Sequence, residues 1–180
     1  MAEVSVTHVV IPDTQVAPGV PTNHLTWIGQ YIVDRWKDDN QVKIIHLGDH
    51  ADMGSLSSYD KKGSKTMEGK RYLADIEAAN KGFDKLNAPL IELNEKRRKH
   101  KERQWWPERH ILIGNHENRI TRAIEDEPKL DGILSLDHLN YKQHGWQVHD
   151  FLHITWLDGV AYSHYFYQPN SGRPYTGMAE

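Results

Sequence analysis

The feature that most constrains this chain is a strand–helix–strand spacing near its start. Val4 to Ile11 is β-branched and apolar and reads as a strand, closed by Pro12. Pro18-Gly19-Val20-Pro21 then loops, and Thr22 or Asn23 can cap a helix that carries Leu25, Ile28, Ile32 and Trp36 on one face. Asp38-Asp39-Asn40 ends that helix, and Val42 to Leu47 makes a second apolar run. A helix between two strands at this spacing predicts a parallel pair joined by a crossover. The C-terminal ends of both strands then share one edge of the sheet, where open α/β sheets place their ligands. Asp13-Thr14-Gln15 follows the first strand and Gly48-Asp49-His50-Ala51-Asp52 follows the second. Topology alone brings the two carboxylates together, although a polar turn would account for Asp13-x-Gln15 taken by itself.

A third strand end repeats the theme. Ile111-Leu112-Ile113 is a short apolar run that stops at Gly114, and Asn115-His116-Glu117 follow at once. A helix is expected from Glu117 to Glu127, ended by Pro128. Between the second and third strands, residues 53–109 read as a helical insertion. One helix is expected from about Glu68 to Leu86 and, after an interruption at Pro89, a second from Leu90 to about Gln104. The second closes on a basic block, Lys96 to Arg103. That block suits a solvated helix end, where the dipole favours cations, and it also suits an electrostatic guide for an anionic substrate. Trp105 and Trp106 beside it read as core or lid residues rather than base-stacking platforms.

Ile133, Leu134 and Leu136 are expected to pack. Near the C-terminal end, Asp158-Gly159 between Phe151–Leu157 and Val160–Phe166 is a two-residue hairpin turn. In that register Leu157 faces Val160, Thr155 faces Tyr162, and His153 faces His164. Gln168 to Pro174 is loop-like. One α/β domain over residues 1–180 is expected.

Composition narrows the chemistry. There are no cysteines among the 180 residues, which excludes disulfides and thiolate metal sites, while His reaches 12. A net charge of -3 gives no global attraction to nucleic acid. No apolar run reaches the roughly 18 residues of a membrane span, and Met1-Ala-Glu-Val lacks a signal-peptide layout. The expectation is a cytoplasmic protein with no membrane association. Any metal site must use His, Asp, Glu, Asn or Gln, a donor set that suits Mn, Fe, Zn or Mg.

The ordered set Asp13-x-Gln15, Gly48-Asp49-x-x-Asp52, Gly114-Asn115-His116-Glu117 and the later His164 resembles the calcineurin-like metallophosphoesterase family. The resemblance spans residues 13–164. The spelling Asp-Thr-Gln, with the segment Ser55 to Asp60, resembles versions carried on bacteriophage genomes, which would place the protein in the host cytoplasm. The resemblance implies a β-sandwich flanked by helices and two divalent metal ions, Mn foremost. Asp13 and Gln15 would hold the first ion, Asp49 would bridge both, and Asn115 and His164 would hold the second. His116 would assist the leaving group, and Asp52 or Glu117 would orient neighbouring groups. The implied reaction is hydrolysis of a phosphate ester by attack of a metal-bridging hydroxide. Phosphodiesters are favoured, DNA or RNA among them. Phosphomonoesters of nucleotides or phosphoproteins, and a catalytically impaired binding or scaffold domain, are the other readings.

Two departures from the family pattern carry weight. Gln15 stands where the family has His, and an amide oxygen is a weaker, neutral donor. The family's closing Gly-His-x-His segment is absent from these residues. The expectation is therefore that the C-terminal part of the fold is missing. Alternatively, His153, His50, a second copy of the chain or a partner chain completes the ligand set.

Overall fold

A computed structural model describes residues 5–58, 64–171 and 173–175. The expected strand start at Val4, the Tyr59-Asp60 spelling and the loop at residues 61–63 lie outside the described residues.

Four strands, β1 (Thr7–Ile11), β2 (Val42–His46), β3 (Glu108–Leu112) and β4 (Gln147–His149), form one sheet in that order. All three pairings are parallel. The two central strands are buried along nearly their whole length, although β3 opens on Glu108, Arg109 and His110 and only its end belongs to the apolar run Ile111–Ile113. β4 is not evident in the sequence, because it is three residues long and only Val148 is aliphatic.

Helices α1 (Asn23–Trp36) and α2 (Tyr72–Lys99) cover one face of the sheet. They touch backbone to backbone. A Cβ added at Gly29 of α1 would lie 2.2 Å from the Leu86 carbonyl oxygen of α2, and one at Gly82 of α2 would crowd Val16 and Leu25. The expected break at Pro89 does not occur, and α2 runs through it as one helix of 28 residues. Proline removes one helical hydrogen bond, at about 3 kcal/mol in an exposed helix. Here Leu86, Pro89 and Leu90 are buried and Asn87 donates to the Phe83 carbonyl, so tertiary packing outweighs the local preference.

The end of α2 is tied to the start of β3. Asn94 donates to the Trp105 carbonyl and accepts from the Trp105 amide, both at 2.7 Å, and the Trp105 indole donates to Asp39 O at 2.7 Å. Trp105 is core, whereas Trp106 is 51% exposed.

β3 leads into α3 (Asn118–Asp126), then three short 3-10 turns, then β4. Leu134 is buried as expected, but Ile133 is 63% exposed.

The hairpin forms with the expected register, Leu157 opposite Val160 and Thr155 opposite Tyr162, but it is shorter than expected: β5 is Thr155–Leu157 and β6 is Val160–Tyr162. The ladder ends there because Leu152 takes a left-handed conformation (φ 62°) and Ser163 turns to donate to Tyr165 O. His153 and His164 therefore lie beyond the ladder. In place of the implied β-sandwich, the described residues show a parallel sheet with this hairpin docked on the face opposite the helices. His8, Lys43 and Glu108 occupy one row across β1, β2 and β3 and so share that face. His8 bonds Tyr162 Oη at 2.7 Å and Asp158 Oδ2 at 2.9 Å, and Lys43 Nζ pairs with Asp158 at 2.8 Å. The protein is thus α/β with a parallel four-stranded sheet. No helix among the described residues is long and apolar enough to cross a membrane.

Candidate metal centre

The parallel topology sets the loops after β1, β2 and β3 at one edge, and the loop after β6 reaches the same edge. Glu117 organises the middle two. Its side chain is fully buried and accepts four hydrogen bonds. They come from the amides of Asp49 (3.0 Å), Ala51 (3.0 Å) and Gly114 (3.1 Å) and from the Tyr141 hydroxyl (3.0 Å). Burial and the neighbouring Asp49 charge push its carboxyl above the usual range, while the four donors favour the charged form. Glu117 stands at the start of α3, as expected, and its side chain also stitches the loop after β2 to the loop after β3. Tyr141, its fourth donor, gives no sign of this role in the sequence.

The stitching leaves no spare room. A Cβ at Gly114 would fall 2.1 Å from Asp49 Oδ1 and 2.3 Å from the Asp49 amide. One at Gly48 would fall 2.7 Å from both the Gly114 amide nitrogen and the Leu112 carbonyl. Gly48 also takes φ +100°, which disfavours side chains. Three non-glycine residues of these loops, Gln15, Asp49 and Met53, are left-handed as well. Such conformations cost about 1–2 kcal/mol each and gather where the surrounding structure enforces a functional geometry.

Asp49 is buried and central. Its Oδ1 accepts from the His116 amide at 2.8 Å, and its Oδ2 stands 3.5 Å from His164 Nε2 and 3.9 Å from His116 Nε2. Burial works against its charge, but the contacts with His164 and His116 prevail and hold its carboxyl below the ordinary range. His164 donates through Nδ1 to Leu47 O at 2.7 Å, and its Nε2 points at Asn115 Oδ1, 3.0 Å away. Burial lowers its basicity, yet Asp49, the Leu47 carbonyl and the nearby Asp13 charge raise it overall to about 8.

A carboxylate oxygen, an amide oxygen and an imidazole nitrogen therefore converge on one point from β2, β3 and the strand after the turn. A Leu47 carbonyl behind the ring fixes the tautomer, as it does for metal-ligating histidines generally. The proton on His164 Nε2 sits where this donor set could hold a divalent cation instead. In donor chemistry, Asp49, Asn115 and His164 fit one such ion. Asp13 and Gln15 are exposed. Gln15 is anchored by its amide to Asp49 O at 2.9 Å, and Asp13 reaches the site through its charge on His164. Among the described residues no group of three or more His, Asp or Glu side chains is arranged to ligate a metal without an amide.

His116 lies beside this point. Its Nδ1 is 3.0 Å from Asp52 Oδ1 and 2.9 Å from Asp52 O, both acceptors, so the ring proton sits on Nδ1 and Nε2 faces Asp49. Arg119, one helical turn on, donates to Asp52 O at 2.8 Å and approaches His116 Nε2 at 3.3 Å. Sequence reasoning passed over Arg119, although its i+3 spacing from His116 was the available signal.

Neither alternative ligand comes to the site. His50 is fully buried beneath it and both ring nitrogens are occupied. The Gly48 amide donates to His46 Nδ1, His46 Nε2 to Thr14 Oγ1, Thr14 to His50 Nδ1, and His50 Nε2 to Ala79 O. Burial drives His50 down to about 4 and His46 well below its ordinary value, so both stay neutral. His153 is exposed, its ring parallel to that of His149 at a centroid distance of 6.3 Å.

The basic block is remote. α2 starts beside the loop after β2, where the Ser55 amide donates to Asp75, and ends at the strand starts, where Arg97 pairs with Asp38. At 1.5 Å per residue its length puts Lys96 to Arg103 about 40 Å from its first turn.

Comparison with protein-family models, curated proteins and solved structures returned no match.

Proposed function

We propose that this protein is a metal-dependent phosphoesterase, acting on phosphodiesters with nucleic acid among the candidate substrates. The observation that carries the reading is the meeting of Asp49, Asn115 and His164 at one point, with His116 held alongside by Asp52. These side chains come from three separate strand ends, and packing alone gives no reason for a buried carboxylate, an amide and two imidazoles to converge.

Asp49, Asn115 and His164 would hold a divalent cation, and Asp13 and Gln15 would supply oxygens to a second. Such ions polarise a phosphate ester and make a nucleophile available at neutral pH. The chain's own residues do the rest. Asp52 accepts from His116 Nδ1, which leaves Nε2 facing the site; in the doubly protonated ring Nε2 is the atom that passes a proton to a leaving oxygen, returning His116 to its Nδ1–H form. Arg119, adjacent to Nε2, adds a positive charge against a phosphate oxygen. Glu117 keeps Asp49 and Asn115 in register while the substrate binds.

The test is hydrolysis of bis-p-nitrophenyl phosphate and p-nitrophenyl phosphate with added Mn. The diester should be cleaved faster, with loss of activity in His116→Ala and loss of Mn binding by calorimetry in Asp49→Ala. Preference for the monoester would redirect the reading to phosphomonoesters. No metal uptake at millimolar Mn would leave a binding domain.

A further inference from the structure

The basic block at the far end of α2 has no part in the phosphoesterase reading. Six Lys and Arg against one Glu give Lys96 to Arg103 a net charge of +5, in a chain whose total is -3. Lys96, Arg98, Lys99, Lys101 and Arg103 are exposed, and none of the five pairs with a carboxylate among the described residues. Within the block Arg97 alone does so, with Asp38 at 2.6 Å.

Helix ends favour cations, but capping does not call for these. The carbonyls of Lys96, Arg97 and Arg98 already accept from the backbone amides of His100, Glu102 and Lys101. Lys101 and Arg103 lie past the last helical residue, Lys99.

The loop beyond the helix is tied down. Arg97 donates to Arg103 O at 3.3 Å and to Lys37 O at 3.1 Å, and Asn94 holds the Trp105 amide. The ends of α1 and α2 thus flank an open cleft of about 300 Å3, lined by Lys37, Asn40, Arg97, Arg103 and Gln104 among others. Its two carboxylates are Asp38, already held by Arg97, and Glu102. Trp106, half exposed, donates from its indole to Gln104 Oε1 at 3.3 Å and so stands beside the cleft.

Unpaired like charges repel one another, and a polyanion relieves that repulsion while releasing its own counterions. An exposed aromatic ring next to the cations adds a face on which a base can stack. The shape selects a flexible strand. Successive helical positions point about 100° apart, so Lys96, Arg98 and Lys99 face different sides of a tip about 10–12 Å across. A duplex, stiff over about 150 base pairs, meets one side of such a tip, whereas a single strand can follow it round.

We propose that this end of the molecule is a docking surface for single-stranded nucleic acid, with phosphates along Lys96 to Arg103 and at Lys37 and a base against Trp106. It rests on these charges and not on the metal centre, so either reading can fail alone.

The test uses the full chain in EDTA, so that no metal ion takes part, with a fluorescein-labelled oligothymidylate of about 20 nucleotides read by anisotropy. Binding should weaken about 100-fold between about 50 and 200 mM KCl, as about five neutralised phosphates require. In the triple variant Arg98→Gln, Lys99→Gln, Arg103→Gln the same change of salt should weaken it less than about 10-fold. Any hydrolysis of bis-p-nitrophenyl phosphate with Mn should be unchanged in that variant, which separates loss of docking from loss of the metal centre. Trp106→Ala should weaken binding about 10-fold. The proposal is overturned by no binding at about 100 µM protein in the lower salt, by tighter binding to a duplex of the same length, or by equal competition from polyglutamate. It is overturned equally if the triple variant or Trp106→Ala binds as the wild type does. Should the triple variant not fold, the salt dependence and strand preference of the wild type decide the matter.

Discussion

The loops that follow β2 and β3 differ sharply from the loop that follows β1. Asp49 and Asn115 stand on segments locked together by Glu117, with glycines packed so closely that no side chain fits between them. Asp13 and Gln15 stand on a segment that leans on the others through backbone amides and Thr14, with their own side chains exposed. One half of the proposed centre is preorganised by the fold, and the other is only brought near it. A preorganised ligand loses little freedom on binding, so the two halves should differ in affinity even where their donors are similar.

The largest effect should come from cutting the stitch. Glu117→Ala leaves three buried amides and the Tyr141 hydroxyl without an acceptor and should cost about 4 kcal/mol in urea unfolding. A loss under about 1 kcal/mol would mean that the two loops are held by something else.

Acid should act next, through the buried histidines below the site. His50 in the folded state stays neutral down to about 4, against an ordinary 6.5. Its folded value is depressed, so the stability it contributes is present above pH 6.5 and is lost as pH falls toward 4. The loss should reach about 3 kcal/mol, read as a stability–pH slope that flattens in His50→Gln.

The comparison is sharpened most directly by metal titration. Asp49→Ala should weaken Mn binding by more than about 100-fold, and Asp13→Ala or Gln15→Ala by about 10-fold or less. Equal losses would show that the first loop is as well organised as the others when an ion is present.

The smallest effect separates two left-handed residues. Lys101 closes α2 at φ 58° in a position that glycine normally takes, with the Glu102 amide donating to Arg97 O at 2.8 Å. Lys101→Gly should stabilise by about 1 kcal/mol in thermal or urea unfolding. At Asp49, equally left-handed, glycine would instead remove the central carboxylate.

Much of this was legible in the sequence where local signals and tertiary demands agree. The βαβ start, the three strand ends and the Asp158-Gly159 turn all follow from periodicity and turn chemistry. Pro89 misled because its cost is local and its compensation, contact with α1 at Gly29, is not. β4 was hidden because three residues carry no period. At the site, residue types marked Asp49, Asn115, His116 and His164 as chemically able. Which histidine turns outward was another matter. His50 and Asp49 are neighbours in sequence, and the partners that hold one ring in the core, Thr14 Oγ1 and Ala79 O, lie far from it along the chain. The Tyr141 contact with Glu117 joins residues 24 apart through a segment with no distinguishing pattern.

The close approach of Gly48 and Gly114 has a consequence for reading this protein by mutation. Alanine at Gly114 would drive a methyl into Asp49, and alanine at Gly48 would press on the Gly114 backbone. In a saturation library screened for folding alone, these two positions should tolerate fewer substitutions than the carboxylates and imidazoles they support. Intolerance at two residues with no chemistry of their own would outline the site from behind, before any substrate had been found.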